Sequence, residues 1–183
     1  MHQVSNESKN LGSLIGLVPM PESDSELNKI FKAVQASGIE IPNLYRVLGY
    51  SPSMLRAWLD FAWPLRLNAG TPRSIRELLI LRGAQRSRIE YEWVHHVPMA
   101  LEAGVSQEKI DALSDWEKSN LFNPMERSVL QLADEMADGP ASSSCVIALK
   151  DYFDDPSVVE LVLTASFYIC VGRFLQSMQV ELE

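Results

Sequence analysis

Cysteine, histidine and long apolar runs are all scarce in this chain of 183 residues. The two cysteines, Cys145 and Cys170, lie 25 positions apart and form no C-x-x-C, which excludes a local thioredoxin-type pair and a cysteine-rich zinc module. So few thiols suit a reduced, cytoplasmic protein better than a disulfide scaffold. The histidines are His2, His95 and His96, too few for a site built on several imidazoles. No apolar run reaches the ~20 residues that cross a bilayer. The longest, Val158 to Gly172, is interrupted by Glu160 and small polar residues and reads as a buried core helix. The apolar stretch Leu11 to Met20 lacks a basic flank and a small-residue cleavage site, so neither a signal peptide nor a membrane partner is expected. Lysine and arginine number 16 against 24 acidic residues, a net charge of −8, which argues against general nucleic-acid binding. Phosphate-binding glycine loops, dinucleotide fingerprints and the G-x-S-x-G elbow are missing too.

What the chain does contain is helix signals. Leu27, Ile30, Phe31 and Val34 fall on one helical face, with Gly38 placed to end that helix in the left-handed conformation. Four later segments open on a capping residue followed by proline: Ser51-Pro52, Thr71-Pro72, Asn123-Pro124 and Asp155-Pro156. A side-chain oxygen there can accept from an orphan N–H, and proline has none to leave unpaired. Glu126, three residues after Asn123, completes a capping-box pattern. These signals predict helices over 24–37, 52–68, 72–87, 90–103, 107–114, 124–138, 144–153 and 156–179, kinked or broken at Pro64 and Pro98. Alternating runs between turn pairs are nearly absent. The expected class is all-α, an N-terminal arm over 1–22 followed by one helical domain over 23–183.

The segment Thr71 to Gly104 concentrates the chemistry. It holds Arg73, Arg76, Arg82, Arg86 and Arg88, five of the ten arginines, with Glu77, Glu90, Tyr91, Glu92, Trp93, His95 and His96. On a helix, Ile89, Glu92 and His96 share one face, and Glu92 lies within a turn of His95. A carboxylate so near an imidazole can orient it and set its tautomer for proton transfer. Exposed Glu–His neighbours and solvated arginine ion pairs are the plainer reading of the same residues. Glu92-x-x-His95 has the spacing of one half of a di-iron carboxylate site, but no second E-x-x-H exists. No metal is expected.

Pro42-Asn43-Leu44-Tyr45-Arg46-Val47-Leu48, Ser51-Pro52, Arg76-Glu77-Leu78, Tyr91-Glu92-Trp93-Val94-His95-His96 and Ala103-Gly104-Val105-Ser106 together resemble the carboxymuconolactone decarboxylase family, which belongs to the alkylhydroperoxidase-D-like superfamily. The similarity runs from about residue 40 to 175. It implies an alkylhydroperoxidase-D-like multi-helix bundle that assembles into homo-oligomers, commonly trimers or hexamers. In the peroxidase branch a glutamate precedes a C-x-x-C-x-x-x-H motif by twelve positions. Laid on this chain, that pattern puts its glutamate at Glu77, its histidine at His96, and its two cysteines at Ile89 and Glu92. Neither residue can form a sulfenic acid or a disulfide.

The resemblance therefore implies cofactor-free acid–base chemistry, of the decarboxylase kind, on a small organic acid or lactone. His96 is the candidate general acid/base, Glu77 its partner or relay, and Glu92 an orienting or second acid group. Tyr91 and His95 are supporting polar residues, and one of Arg73, Arg76 or Arg88 is expected to hold a substrate carboxylate. Two other readings stay open. One is a thiol-dependent peroxidase using Cys145 or Cys170, and the other is a non-catalytic oligomeric scaffold or binding protein.

Overall fold

A computed structural model of the chain describes residues 13–21 and 25–183. Of the arm expected over 1–22, residues 1–12 and 22 lie outside that range, His2 among them. Among the described residues the regular structure is entirely helical: α1 (Glu26–Ala36), α2 (Asn43–Leu48), α3 (Pro52–Trp63), α4 (Arg73–Ser87), α5 (Glu90–Glu102), α6 (Gln107–Ala112), α7 (Pro124–Asp138), α8 (Ser143–Leu149) and α9 (Asp155–Met178). The expected all-α class is what folds.

The chain forms two compact units. The first takes the described residues up to Leu55 together with Ser177–Glu183. There α1 starts at Ser25, whose hydroxyl accepts from the Asn28 N–H, and buries Leu27, Ile30, Phe31 and Val34. Gly38 follows at φ +81°, the left-handed stop its position suggests. Helix α2 was not expected, because six residues carry too little periodicity to announce a helix. Tertiary contacts hold it instead. Glu183 accepts from the Asn43 N–H at 2.5 Å, and Arg46 donates to the Val18 carbonyl at 3.1 Å.

The second unit, Arg56–Gln176, holds the site. Its central element is α4, in which every residue from Ile75 to Arg82 is buried. A helix buried on all sides serves two packing faces at once. Ile75 and Leu79 join Val129, Leu132, Leu149 and Leu161 in one apolar cluster. Leu78 and Leu81 join Ala100, Ile110, Leu113 and Leu130 in another.

Local chemistry departs from the sequence expectation at several helix ends. The Asn123–Glu126 capping box forms in both directions. Thr71 does not cap α4; its hydroxyl and carbonyl accept from Arg76, while Glu160 takes the N–H groups of Gly70 and Thr71 at 2.9 Å each. The cap of α9 is Asp154, one residue earlier than expected, accepting from the Ser157 N–H at 3.0 Å. Proline 64 does interrupt its helix. With no N–H to continue the ladder, the chain widens into a π-turn over Pro64–Asn68. Proline 98 breaks nothing, since α5 runs through it to Glu102. Helix α9 spans Asp155–Met178, close to the expected 156–179. By length and composition alone, its 24 residues are apolar enough to cross a membrane. Val158, Leu161, Ala165, Tyr168 and Val171 are buried along one side of it.

Candidate active site

Four segments of the second unit bring the site together: the π-turn with Arg66, α4 with Arg73 and Glu77, α5 with Tyr91 to His96, and α9 with Tyr168 and Gly172. The joint between α4 and α5 is tight. Arg88 sits there in the left-handed region at φ 55°, an unusual place for a residue with a Cβ. The Ile89 N–H reaches back to the Ala84 carbonyl at 2.9 Å, and Gln176 donates to the Ser87 carbonyl at 3.0 Å. This abrupt turn folds α5 back against α4 and sets His96 opposite Glu77.

The Glu77 side chain has no exposed surface, and its Oε2 lies 2.7 Å from His96 Nδ1. Its Oε1 is ion-paired with Arg73, one helical turn earlier. Burial on its own would raise the Glu77 carboxyl, but the His96 hydrogen bond and the neighbouring charges of His96 and Arg73 hold it below the ordinary range. His96 is pushed the other way. Burial lowers its pKa, Glu77 opposes that, and the positive charges of Arg66 and Arg73 lower it further. The pair therefore rests as a carboxylate and a neutral imidazole. Nδ1 carries the proton shared with Glu77, and Nε2 keeps its lone pair. Tyr168 meets the imidazole edge-to-face, with ring centroids 4.9 Å apart at 87°.

Glu92 lies beside this pair in a different electrostatic setting. It is 3% exposed, and its Oε1 has no hydrogen-bond partner among the described residues. Burial pushes its carboxyl up to about 8, so near neutral pH it is mostly a protonated acid. It borders a cavity of about 20 Å³, lined also by Leu79, Ile80, Gly83, Ile89 and Tyr168, enough for about one water molecule. Space for Ile89 and Glu92 comes from Gly172. A Cβ at that position would fall 1.9 Å from Ile89 Cδ1 and 3.6 Å from Glu92 Oε1.

The remaining candidates separate. Arg73 joins the pair directly. Tyr91 and His95 stack on each other with centroids 4.3 Å apart, and His95 Nδ1 lies 2.7 Å from the Tyr91 carbonyl. Arg76 is buried and donates to the Thr71 and Ala69 carbonyls and the Arg66 carbonyl, so it holds the π-turn and the loop after it. Arg88 is exposed at the helix joint. Two residues of the site were missed from sequence. Tyr168 lay inside what read as a plain core helix, where a lone phenol in an apolar run was the available signal. Arg66 lies outside the arginine-rich segment, two residues after the proline that bends the chain. Cys145 is buried among the apolar residues of α4, α7 and α8, and burial, aided by the charge of Glu135, pushes its thiol up to about 11. Cys170 is exposed on α9.

Fold and site thus define an all-helical protein with a buried glutamate–histidine pair bridging two helices joined by an abrupt turn. Residues 52–135 match the model of the carboxymuconolactone decarboxylase family. Comparison with curated proteins finds no match. Among solved structures, the fold is similar to that of the debrominase Bmp8 in complex with 2,3,4-tribromopyrrole, at 18% identity over 91% of each chain and a TM-score of 0.75. The alkylhydroperoxidase AhpD core of a peroxidase-related protein from Ralstonia eutropha JMP134 is similar at 18% identity over 90% of each chain and a TM-score of 0.75. A peroxidase-related protein from Silicibacter sp. TM1040 is similar at 15% identity over 91% of each chain and a TM-score of 0.76.

Proposed function

We propose that this protein is a cofactor-free lyase that transfers protons on a small organic acid or lactone, by decarboxylation or a closely related step. The observation that carries this reading is the buried Glu77–His96 hydrogen bond at 2.7 Å. A carboxylate that accepts from Nδ1 leaves Nε2 as a neutral base, oriented and ready to take a proton from carbon or oxygen. Glu92, protonated near neutral pH, is suited to the opposite task of giving a proton back. Two acid–base groups whose surroundings drive them apart in pKa suit proton transfer at constant pH. Arg73 supplies positive charge where an anionic substrate or enolate would gather negative charge. The cavity beside Glu92 admits a water rather than a substrate. Arg73, with its side chain 30% exposed, marks the accessible side.

Thiol chemistry of the superfamily's peroxidase kind lacks its residues here, since Ile89 and Glu92 stand at the two motif positions. The unpaired thiols Cys145 and Cys170 fit a reducing cytoplasm, and the working form we propose is a homo-oligomer.

The test is a metabolite screen against small carboxylic acids and lactones, followed by the His96→Gln variant. Turnover should fall by about 10²–10⁴-fold, the usual contribution of a positioned acid–base group, with the helical circular-dichroism spectrum unchanged. Full activity in that variant would sink the assignment. The rate should also decline at alkaline pH as Glu92 loses its proton near 8, and Glu92→Gln, which removes that donor, should lower the rate and leave the remainder without that decline.

A further inference from the structure

Arg66 has no part in the reading above, yet its placement is closely controlled. The π-turn that carries it is held from behind. Arg73 Nη1 donates to the Arg66 carbonyl at 3.1 Å, and Arg76 Nη2 donates to the same oxygen at 3.4 Å. The Arg66 guanidinium is thereby sent towards α5, where Nη2 lies 3.9 Å from Met99 Sδ. Arg73 Nη2 approaches the same sulfur at 3.6 Å. Two guanidinium groups thus converge on one thioether, which is a weak acceptor and carries no charge. Glu77 already pairs with Arg73, whereas Arg66 has no ion pair with a carboxylate among the described residues, so its charge is the one an added anion would meet.

We propose that Arg66 and Arg73 form a clamp for a single carboxylate, seated beside Met99 and next to His96. The clamp deepens the proposed function by assigning the substrate's acid group to these two residues, and it rests on that reading for its place in catalysis. Charge decides the class of ligand. Arg66, Arg73 and Arg76 contribute three positive charges, Glu77 and Glu160 remove two, and neutral His96 and protonated Glu92 add none. One positive charge remains, which a monocarboxylate neutralises and a phosphate dianion would overshoot in a half-buried setting. Geometry agrees, because the planar Arg66 fork matches a planar carboxylate and can bind it with paired N–H donors, while Arg73, whose terminal nitrogens already serve the Arg66 carbonyl and Glu77, adds its charge beside it. Both arginines also bear on the His96 imidazole. An anion seated between them would offset their field and make His96 more basic when substrate is bound.

The experiment is calorimetric titration of the full chain with benzoate, with its neutral isostere benzamide and with inorganic phosphate, paired with an NMR pH titration of the His96 imidazole. Benzoate should bind saturably, benzamide should not, and phosphate should bind more weakly than benzoate. Arg66→Gln should weaken benzoate about tenfold or more, as expected on losing a charge-assisted bidentate contact. Arg66→Lys should fall between that variant and wild type. Arg86→Gln, which removes an equal charge from a surface ion pair with Asp138, should leave benzoate affinity unchanged. Saturating benzoate should raise the His96 pKa in the wild type and not in Arg66→Gln. The clamp is overturned if wild type fails to bind benzoate, if benzamide binds as well, or if Arg66→Gln binds benzoate undiminished. Tighter binding of phosphate overturns the assignment to carboxylate. None of these readouts needs turnover. A fully active His96→Gln would remove the catalytic reading while the clamp stood, and lost benzoate selectivity would do the reverse.

Discussion

At the scale of single residues, Glu92 is the most informative side chain in the molecule. A carboxyl group that titrates near 4.5 in an ordinary setting is held near 8 by burial. Over that interval the folded protein keeps a proton that the unfolded chain has lost, so stability must fall as pH rises through it. His96 acts in the opposite sense, but only below its ordinary value of 6.5, because its folded-state pKa is depressed. The interval from 6.5 to 8 therefore isolates Glu92. Denaturant unfolding of the wild type should show a loss of about 2 kcal/mol across it, from the linkage slope of one proton. Glu92→Gln should flatten that slope. A slope that survives the substitution would place its origin elsewhere. Sequence reasoning found Glu92, His96 and Glu77 because their spacing on two helices could be counted. It could not find that Glu92 is dry while Glu77 is ion-paired, since that contrast depends on which neighbours close over each.

At the scale of elements, helix packing around the site turns on one missing side chain. Gly172 lets α9 approach Ile89 so closely that a methyl group added there would overlap Ile89 Cδ1. Gly172→Ala should destabilise the protein by about 1–3 kcal/mol, the usual range for overpacking a core. Combining it with Ile89→Val, which deletes the overlapping carbon, should recover most of the loss, as read by urea midpoints. If the double variant is no more stable than the single, the close approach is not what Gly172 provides. Four of the nine helix starts among the described residues lay at or beside cap-plus-proline pairs, because capping is local chemistry. The exceptions have non-local causes. Thr71 is drawn away from its cap by Arg76, and Glu160 from α9 takes the adjacent N–H groups instead. The π-turn at Pro64 was visible as an interruption but not as the device that aims Arg66.

At the scale of the whole molecule, α4 organises the second unit by packing on both sides. The proposed homo-oligomer extends that picture to assembly. Light scattering in solution should return a multiple of the 20.5 kDa chain mass that corresponds to a trimer or hexamer. A clean monomer would overturn the proposed homo-oligomer. The Arg82–Asp134 pair, with N–O contact at 2.5 Å and Trp116 donating to the same carboxylate at 2.9 Å, shows that part of the arginine-rich segment ties α4 to α7. That part has no role in the site.

The scarcity of thiols, the all-helical class, most helix positions and the glutamate–histidine spacing could be read before any coordinate was known. All of them follow from residue type and local periodicity, which a linear chain displays. Protonation states, the division of five arginines between the Glu77 ion pair, loop support, the α4–α7 tie and the surface, and the recruitment of Tyr168 and Arg66 arose on folding. Each depends on burial and on partners tens of residues away, and electrostatic energies in a protein are set by that surrounding rather than by the residue alone.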